Sequence, residues 1–520
     1  MRSRRAIFLG FFIGSPAGVL AIRYALFGPK LLAVPAGIII AASILSIPLA
    51  RHRHRLFYLC VILLLVATLA VPYSEPLIRN IIALVGGHEE KLEPPIPIVT
   101  QAGSVSWNSA FSDGAVPVAS EAGEWPGWRG FSTAGVAADS RPPDTWSETT
   151  NVVWRTAVPG RGYASPCVVA DRIVLATADE DQFAQGLLCY HADDGRLLWA
   201  ARLHSGTPIP IHLKNSHSSS TPCSDGRLVY AVFLADQDRH GIWASAVDLN
   251  GRTQWQTFVG KFHNLEGYAP SPVCRDGLLY VVADGLDESY LAALDCVTGE
   301  LRWKVARDVG ASYGGPVIAE VAGRKQLLVA GNGKLVSYDP VSGREVWRCG
   351  SLPQYCAGTP TWDKEFVYAS GGAPEKVLIA VRADGTGDVT ETHVRWRAMN
   401  NASYVPSPLL IDDDIFLATD SGVFVCVSTT TGRVKWKIRL AGSFSSSPSW
   451  ADGRIYVANE EGAMFVLSPR RRELLATNML TPGGMATPAF IGPRIYLRTH
   501  HFLYRLEDRS VGKAENGRPL

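Results

Sequence analysis

Ala293-Leu294-Asp295-Cys296-Val297-Thr298-Gly299-Glu300-Leu301-Arg302-Trp303 is the stretch whose reading decides the fold. Asp295 and Thr298 are side chains that bond back to the backbone of a tight turn, and Gly299 suits a left-handed backbone at its end. Four residues later a tryptophan stands on what the alternation of residues marks as an exposed outer strand. An indole there covers roughly 150–250 Å² of a neighbouring sheet. Asp339, Gly343 and Trp347 repeat the spacing, and the Gly-to-Trp step recurs at Gly195 and Trp199, Gly251 and Trp255, and Gly432 and Trp436. Trp396 marks a further unit with its turn rebuilt, and Leu475 stands where another tryptophan is expected.

A second periodic mark lies upstream of each of these. A Ser/Thr-Pro or Gly-Pro pair places its proline at Pro166, Pro222, Pro272, Pro316, Pro360, Pro408, Pro448 and Pro488. Asp225-Gly226, Asp276-Gly277 and Asp452-Gly453 follow three of the pairs and precede apolar β-forming runs, which is a hairpin signal. One four-stranded sheet cannot bury both of its faces alone, so units of this length must stack in a ring.

The count favours eight. Eight Pro pairs open eight inner strands, but the last unit, ending at Leu503-Tyr504-Arg505-Leu506, lacks an outer strand. Asn151-Val152-Val153-Trp154-Arg155 precedes the first pair and can supply it, joining the ends of the ring and leaving no free edge. The expected fold class is therefore all-β, an eight-bladed propeller. Trp154, Trp199, Trp255, Trp303, Trp347, Trp396 and Trp436 are its expected blade-docking residues.

The hydrophobic content of 47% is high for a globular chain and is concentrated in the first 86 residues. Residues 6–22, 31–49 and 56–71 are apolar runs near the roughly 20 residues a helix needs to cross a bilayer. Arg2, Arg4 and Arg5 precede the first run, and Arg51, Arg53 and Arg55 lie between the second and third. The positive-inside rule then puts the N-terminus in the cytoplasm and everything after the third helix outside. Ser3-Arg4-Arg5 has the look of a twin-arginine signal, but two further apolar runs and no small-residue cleavage site favour an anchor. The expected organisation is an anchor of three transmembrane helices over 1–72, a linker over 73–124, the propeller over 125–508 and a disordered tail over 509–520. The expected location is the bacterial inner membrane, with the propeller in the periplasm.

The AxDxxTGxxxW segment at 293–303 resembles the tryptophan-docking motif of PQQ-like, quinoprotein-type propellers. Trp125-Pro126-Gly127-Trp128-Arg129-Gly130, Trp146-Ser147-Glu148 and Pro159-Gly160-Arg161-Gly162-Tyr163-Ala164-Ser165-Pro166 are similar to the opening of planctomycete-type members, and the likeness runs from about 124 to 506. Two branches share that fold: quinone-dependent alcohol and glucose dehydrogenases, and the non-enzymatic BamB lipoprotein of outer-membrane protein assembly. The dehydrogenase branch implies pyrroloquinoline quinone over a vicinal disulfide, with a Ca²⁺ ion held by Glu, Asn and Asp. This chain has nine cysteines, none adjacent to another and none in a C-x-x-C-H haem motif. They read as small buried hydrophobes, with one chance disulfide open in an oxidising compartment. A net charge of +2 gives no basic stripe for nucleic acid.

The expected role is thus binding, with no catalytic residue, cofactor or metal, and with a protein or small-ligand partner. PQQ and Ca²⁺ belong only to the alternative, a dehydrogenase of alcohols or sugars. Tyr163, His217, Tyr268, Tyr313, Tyr355, Tyr404, Phe444 and Met485 each precede a Pro pair, in loops that propeller topology gathers at one channel mouth. A ring of tyrosines there suits a small ligand or a protruding peptide; the other reading is that these side chains merely plug the channel. His204, His212 and His217 are expected in one solvated loop, without the converging ligands a metal site needs. Ser218–Ser220 and Ser445–Ser447 are expected as loop-to-strand turns.

Overall fold

A computed structural model describes residues 105–107, 109–110, 123–206, 209–308 and 310–508, all within the compact unit Val99–Leu520. The three apolar runs expected to span a membrane lie outside the described residues, as does the tail. Among the described residues no helix is long and apolar enough to cross a membrane.

Eight sheets with antiparallel cores follow one another, seven of them built from inner to outer strand as the chain advances. Blade 1 covers residues 167–205, blade 2 223–260, blade 3 273–306, blade 4 317–349, blade 5 361–399, blade 6 409–439, blade 7 449–479 and blade 8 489–506. The Asp-Gly pairs make the expected hairpins. In blade 3, Val273–Arg275 turns into Leu278–Asp284 through Asp276 and Gly277, whose φ angles of 53° and 75° define the twisted turn that matches strand twist.

The ring closes as the strand count requires. Val152–Ala157 runs antiparallel to Phe502–Leu506, with Arg155 opposite Tyr504 and Thr156 opposite Leu503. That supplies the fourth strand of blade 8. Burial follows the same circuit, because every apolar cluster joins neighbouring blades. Leu187 and Cys189 of blade 1 pack with Val229 and Phe233 of blade 2, and Tyr280 and Leu291 of blade 3 pack with Leu327 and Val336 of blade 4. The cluster at the closure brings Val466 of blade 7, Tyr504 of blade 8 and Leu175 of blade 1 together.

The tryptophans seal these interfaces from the rim. Trp154, Trp199, Trp255, Trp303 and Trp396 lie against Gly195, Gly251, Gly299, Gly343 and Gly432, each glycine in the next blade's turn. The indole N–H groups of Trp199 and Trp255 donate to the carbonyls of Leu249 (2.9 Å) and Cys296 (3.0 Å) in those turns. At 293–303, Asp295 accepts the N–H groups of Val297 and Thr298 and the guanidinium of Arg302. The Thr298 N–H first, with the Arg302 bond, holds the Asp295 carboxyl down to about 2.

Two of the expected docking residues behave differently. Trp347 meets no turn glycine, because Gly387–Asp388 of blade 5 crosses over and pairs in parallel beside it. It is fully buried, and its N–H donates to Gln326 of its own blade at 2.7 Å. Trp436 faces a turn in which Arg470, Arg471 and Arg472 replace the glycine, and it packs on Phe416 and Phe424 of its own blade. The segment expected as a linker is also engaged where it is described. Val105 is buried, its N–H bonds Asp179, and Ser109–Ala110 adds an edge strand opposite Trp199 and Ala200 of blade 1. The eight described cysteines are free, with the Cys274 and Cys296 sulfurs 3.1 Å apart in blade 3.

At the axis the Ser/Thr-Pro pairs do more than start strands. The N–H of Ser165 donates to Thr221 Oγ1, that of Thr221 to Ser271 Oγ, that of Thr359 to Ser407 Oγ, that of Ser407 to Ser447 Oγ, that of Ser447 to Thr487 Oγ1 and that of Thr487 to Ser165 Oγ, all at 2.9–3.0 Å. Each hydroxyl satisfies a buried N–H of the preceding blade. The circuit breaks where blade 4 has Gly315, which offers no hydroxyl to Ser271.

Gly299→Ala and Gly453→Ala test the docking contact. Both glycines sit at φ near +72° to +73°, but an added Cβ would lie 2.5 Å from the Trp255 ring at Gly299 and meet nothing within 4 Å at Gly453. Urea unfolding should show a loss of about 1–2 kcal/mol for Gly453→Ala and about 1–3 kcal/mol more for Gly299→Ala; equal losses would remove the packing role. Ser447→Ala orphans the buried Ser407 N–H and should cost about 1–3 kcal/mol, whereas Ser447→Thr, which keeps the hydroxyl, should cost less in the same assay.

Candidate functional site: the axial cavity

Inside the hydroxyl circuit lies a cavity of about 450 Å³. Five of the eight loop residues expected at the mouth line it: Tyr163, Tyr313, Tyr404, Phe444 and Met485. Each loop leaves an outer strand, climbs to the mouth and drops into the next inner strand at its proline. Phe444 is buried, and the three tyrosines are half-buried.

Three of the expected residues do not reach the cavity, for local reasons. Tyr268 follows Gly267, turns into the blade and donates its hydroxyl to the carbonyl of Val282 at 3.0 Å, edge-on to Phe262. His217 is held between Glu180 (3.0 Å) and the carbonyl of Ile209 (2.8 Å). Tyr355 exchanges backbone bonds with Gly372 and Ala373 and so lies over its own blade.

Several lining residues carry no periodic mark and were not anticipated. Glu266 accepts the Tyr313 hydroxyl at 2.7 Å. Burial first, and then this bond, raises the Tyr313 phenol above its ordinary range. Burial, with Glu266 and Asp420 nearby, pushes Tyr404 up to about 12. Asp420 accepts the N–H groups of Tyr404 (3.1 Å) and Val405 (3.0 Å) and pairs with Lys376. Glu460 on blade 7 accepts the Ser445 hydroxyl at 2.7 Å and pairs with Lys214 at 3.1 Å. Lys214 comes from the 209–220 loop between blades 1 and 2, so this pair reaches across the mouth. The Ser218–Ser220 and Ser445–Ser447 runs do lie in these loops, with Ser219 and Ser445 on the cavity wall.

The opposite end is crossed by residues 125–137. Trp125 bridges Val168 of blade 1, the carbonyl of Pro126 accepts Ser224 N–H of blade 2, and Arg275 of blade 3 stacks on Phe131. Arg129 is fully buried and donates to the carbonyls of Pro408 and Pro448 on blades 6 and 7, and Val136–Ala137 pairs with Trp450 and Ala451 of blade 7. Desolvation lowers the Arg129 guanidinium to about 9. Trp128, between these anchors, lines the cavity and forms its floor.

The histidines separate as well. His212 lines the cavity. His204 is not in the loop but in the strand Leu197–Ser205, 2% exposed, beside Gln237, Phe233 and Trp243. Among the described residues no three or more His, Cys, Asp or Glu side chains are grouped to hold a metal ion.

A closed ring of eight four-stranded blades, sealed by turn-docked tryptophans around an axial cavity, is the architecture of the PQQ-like propellers. The family described as "Outer membrane protein assembly factor BamB" matches residues 101–286, 287–410 and 388–486, and the chain belongs to it. Among solved structures, BamB from Moraxella catarrhalis aligns with a TM-score of 0.50 at 15% identity, over 68% of this chain and 99% of that one. The computationally designed Ika8 protein gives 0.50 at 12% identity, over 68% and 98%. A europium-containing methanol dehydrogenase gives 0.41 at 11% identity, over 72% and 89%. No curated protein matches.

Burial holds His204 near 4, below its ordinary value of 6.5. A depressed histidine contributes stability that is complete above the unfolded value and is lost as pH falls toward the folded one. Unfolding free energy should therefore drop by roughly 3 kcal/mol between pH 6.5 and 4 through this group. In His204→Gln that component should vanish from pH-dependent urea melts; an unchanged profile would exclude it.

Proposed function

We propose that this protein is a membrane-anchored binding scaffold whose propeller stands outside the cytoplasm and engages a polypeptide partner at the axial mouth. The observation that carries this reading is the cavity itself: aromatic walls and polar rims, presented by loops rather than by the blade core. Family membership supports a protein-binding role, and the arginine asymmetry around residues 6–71 supports the anchor and the periplasmic placement.

The same cavity suits a calcium-bound quinone poorly. Among the described residues its carboxylates form no group of three that could hold a metal ion. Asp420 is engaged by two backbone N–H groups and Lys376, and Glu460 by Ser445 and Lys214, while Glu266 accepts the Tyr313 hydroxyl alone. Ca²⁺ takes six to eight oxygen ligands about one centre, and this donor set is not arranged to provide them. We therefore assign the chain no cofactor and no redox step.

A photo-reactive residue in place of Val405, which lines the cavity, should give a discrete crosslinked partner in membranes, and one in place of Val297, exposed in the turn of blade 3, should not. Tyr313→Ala with Tyr404→Ala should abolish the Val405 product. Equal crosslinking from both positions, or none from Val405, would reject the mouth as the binding face. Adding pyrroloquinoline quinone and Ca²⁺ should give no dye-linked oxidation of alcohols or sugars; turnover would reinstate the dehydrogenase.

A further inference from the structure

The charges on the cavity wall are unbalanced. Glu266, Asp420 and Glu460 are carboxylates, and Lys214 is the one ammonium among the lining side chains. Asp420 is already neutralised by Lys376 at 3.1 Å. Glu266 has no cationic partner at ion-pair distance among the described residues and receives a single bond from the neutral phenol of Tyr313. Tyr404 lines the same wall, its backbone N–H held by Asp420 at 3.1 Å, so its side chain and that of Tyr313 share the cavity with these carboxylates. Half-buried tyrosines beside an unpaired carboxylate attract a cation twice, through the charge and through the ring faces.

The single ammonium present is not fixed there. Lys214 is 60% exposed, and its side chain reaches from the 209–220 loop to Glu460, whose own side chain is 16% exposed. An ion pair with so open a cation contributes about 0–1 kcal/mol, so a competitor that also gains aromatic contacts can replace it. The loop backbone is anchored independently of that pair. Arg161 donates to the carbonyls of Leu213 and Asn215, and Asn215 donates to the carbonyl of Glu266. Only the lysine side chain has to move.

We propose that the cavity receives a lysine or arginine side chain projecting from the partner polypeptide, and that Lys214 is its internal stand-in, released from Glu460 when the partner's cation enters. The proposal rests on the binding role above and names what is recognised. Glu266 and the faces of Tyr313 and Tyr404 hold the incoming cation, and Glu460 exchanges an intramolecular ammonium for an intermolecular one.

Isothermal titration of the full-length protein in detergent tests it with four blocked tripeptides: Gly-Lys-Gly, Gly-Arg-Gly, Gly-(Nε-acetyl-Lys)-Gly and Gly-Glu-Gly. The first two should bind, and the acetylated and acidic peptides should bind about tenfold or more weakly. Lys214→Ala and Lys214→Gln should each tighten Gly-Lys-Gly binding by about two- to fivefold, because the internal competitor is gone. Glu266→Gln should weaken it by about tenfold. Equal affinity for lysine and acetyl-lysine, no binding by any peptide, or no gain in either Lys214 variant would overturn the proposal. If the Val405 crosslink persists in that case, the mouth still binds a partner by other chemistry; if it is lost too, the binding role falls as well.

Discussion

Each blade has two apolar faces and only four strands, and everything else in the molecule answers to that. A linear stack of such sheets would leave one face of the first and one of the last in water. Closing the stack removes both. The strand 152–157 is therefore the structural hinge between the chain's beginning and its end. By pairing with 502–506 it lets Leu175, Val466 and Tyr504 share one cluster, although they lie in blades 1, 7 and 8. The ring cannot be completed until the last strand has been made. Pairing of such sequence separation is slow to form, and the tryptophan contacts at the rim hold blades together pairwise.

The cavity is a by-product of that closure rather than an added domain. Inner strands clasped by Ser and Thr hydroxyls fix how wide the axis is, and each loop that precedes a proline must then end near the mouth. What varies is the loop's length and its own bonding. Tyr163, Tyr313 and Tyr404 come in toward the axis, while Tyr268 and Tyr355 are captured by their own blades. Glu266 on one such loop, and Asp420 and Glu460 on hairpin turns of blades 6 and 7, give the mouth its charge.

Periodic features were legible in the sequence because a ring repeats them. The Pro pairs, the Gly-to-Trp step and the orphan strand near Trp154 suffice to fix the blade count and the manner of closure. Features that occur once were not. Gly387–Asp388 displaces the expected neighbour of Trp347 through an insertion that no other blade has, and Arg470–Arg472 removes the seat of Trp436. Lys214 and Glu460 meet only after folding, from residues 246 apart, and Glu266 reaches the same wall from the next loop, so no local pattern announces them. His204 reads as the start of a loop because polar residues follow it, yet its side chain is covered by Phe233 and Trp243 from the next blade. The role of the serines and threonines at the axis was equally hidden, since a hydroxyl before a proline looks the same whether it ends a loop or bonds a neighbour.

Among the described residues, the segment 125–137 crosses one end of the axis. Trp128 lines the cavity on that side and Arg129 is buried next to it, so a guest entering past the loops meets an indole at the far end. A guest that enters and leaves by the loop rim passes Lys214 both ways. An axis crossed in this way is better suited to gripping the tip of a chain or a protruding loop than to passing one through.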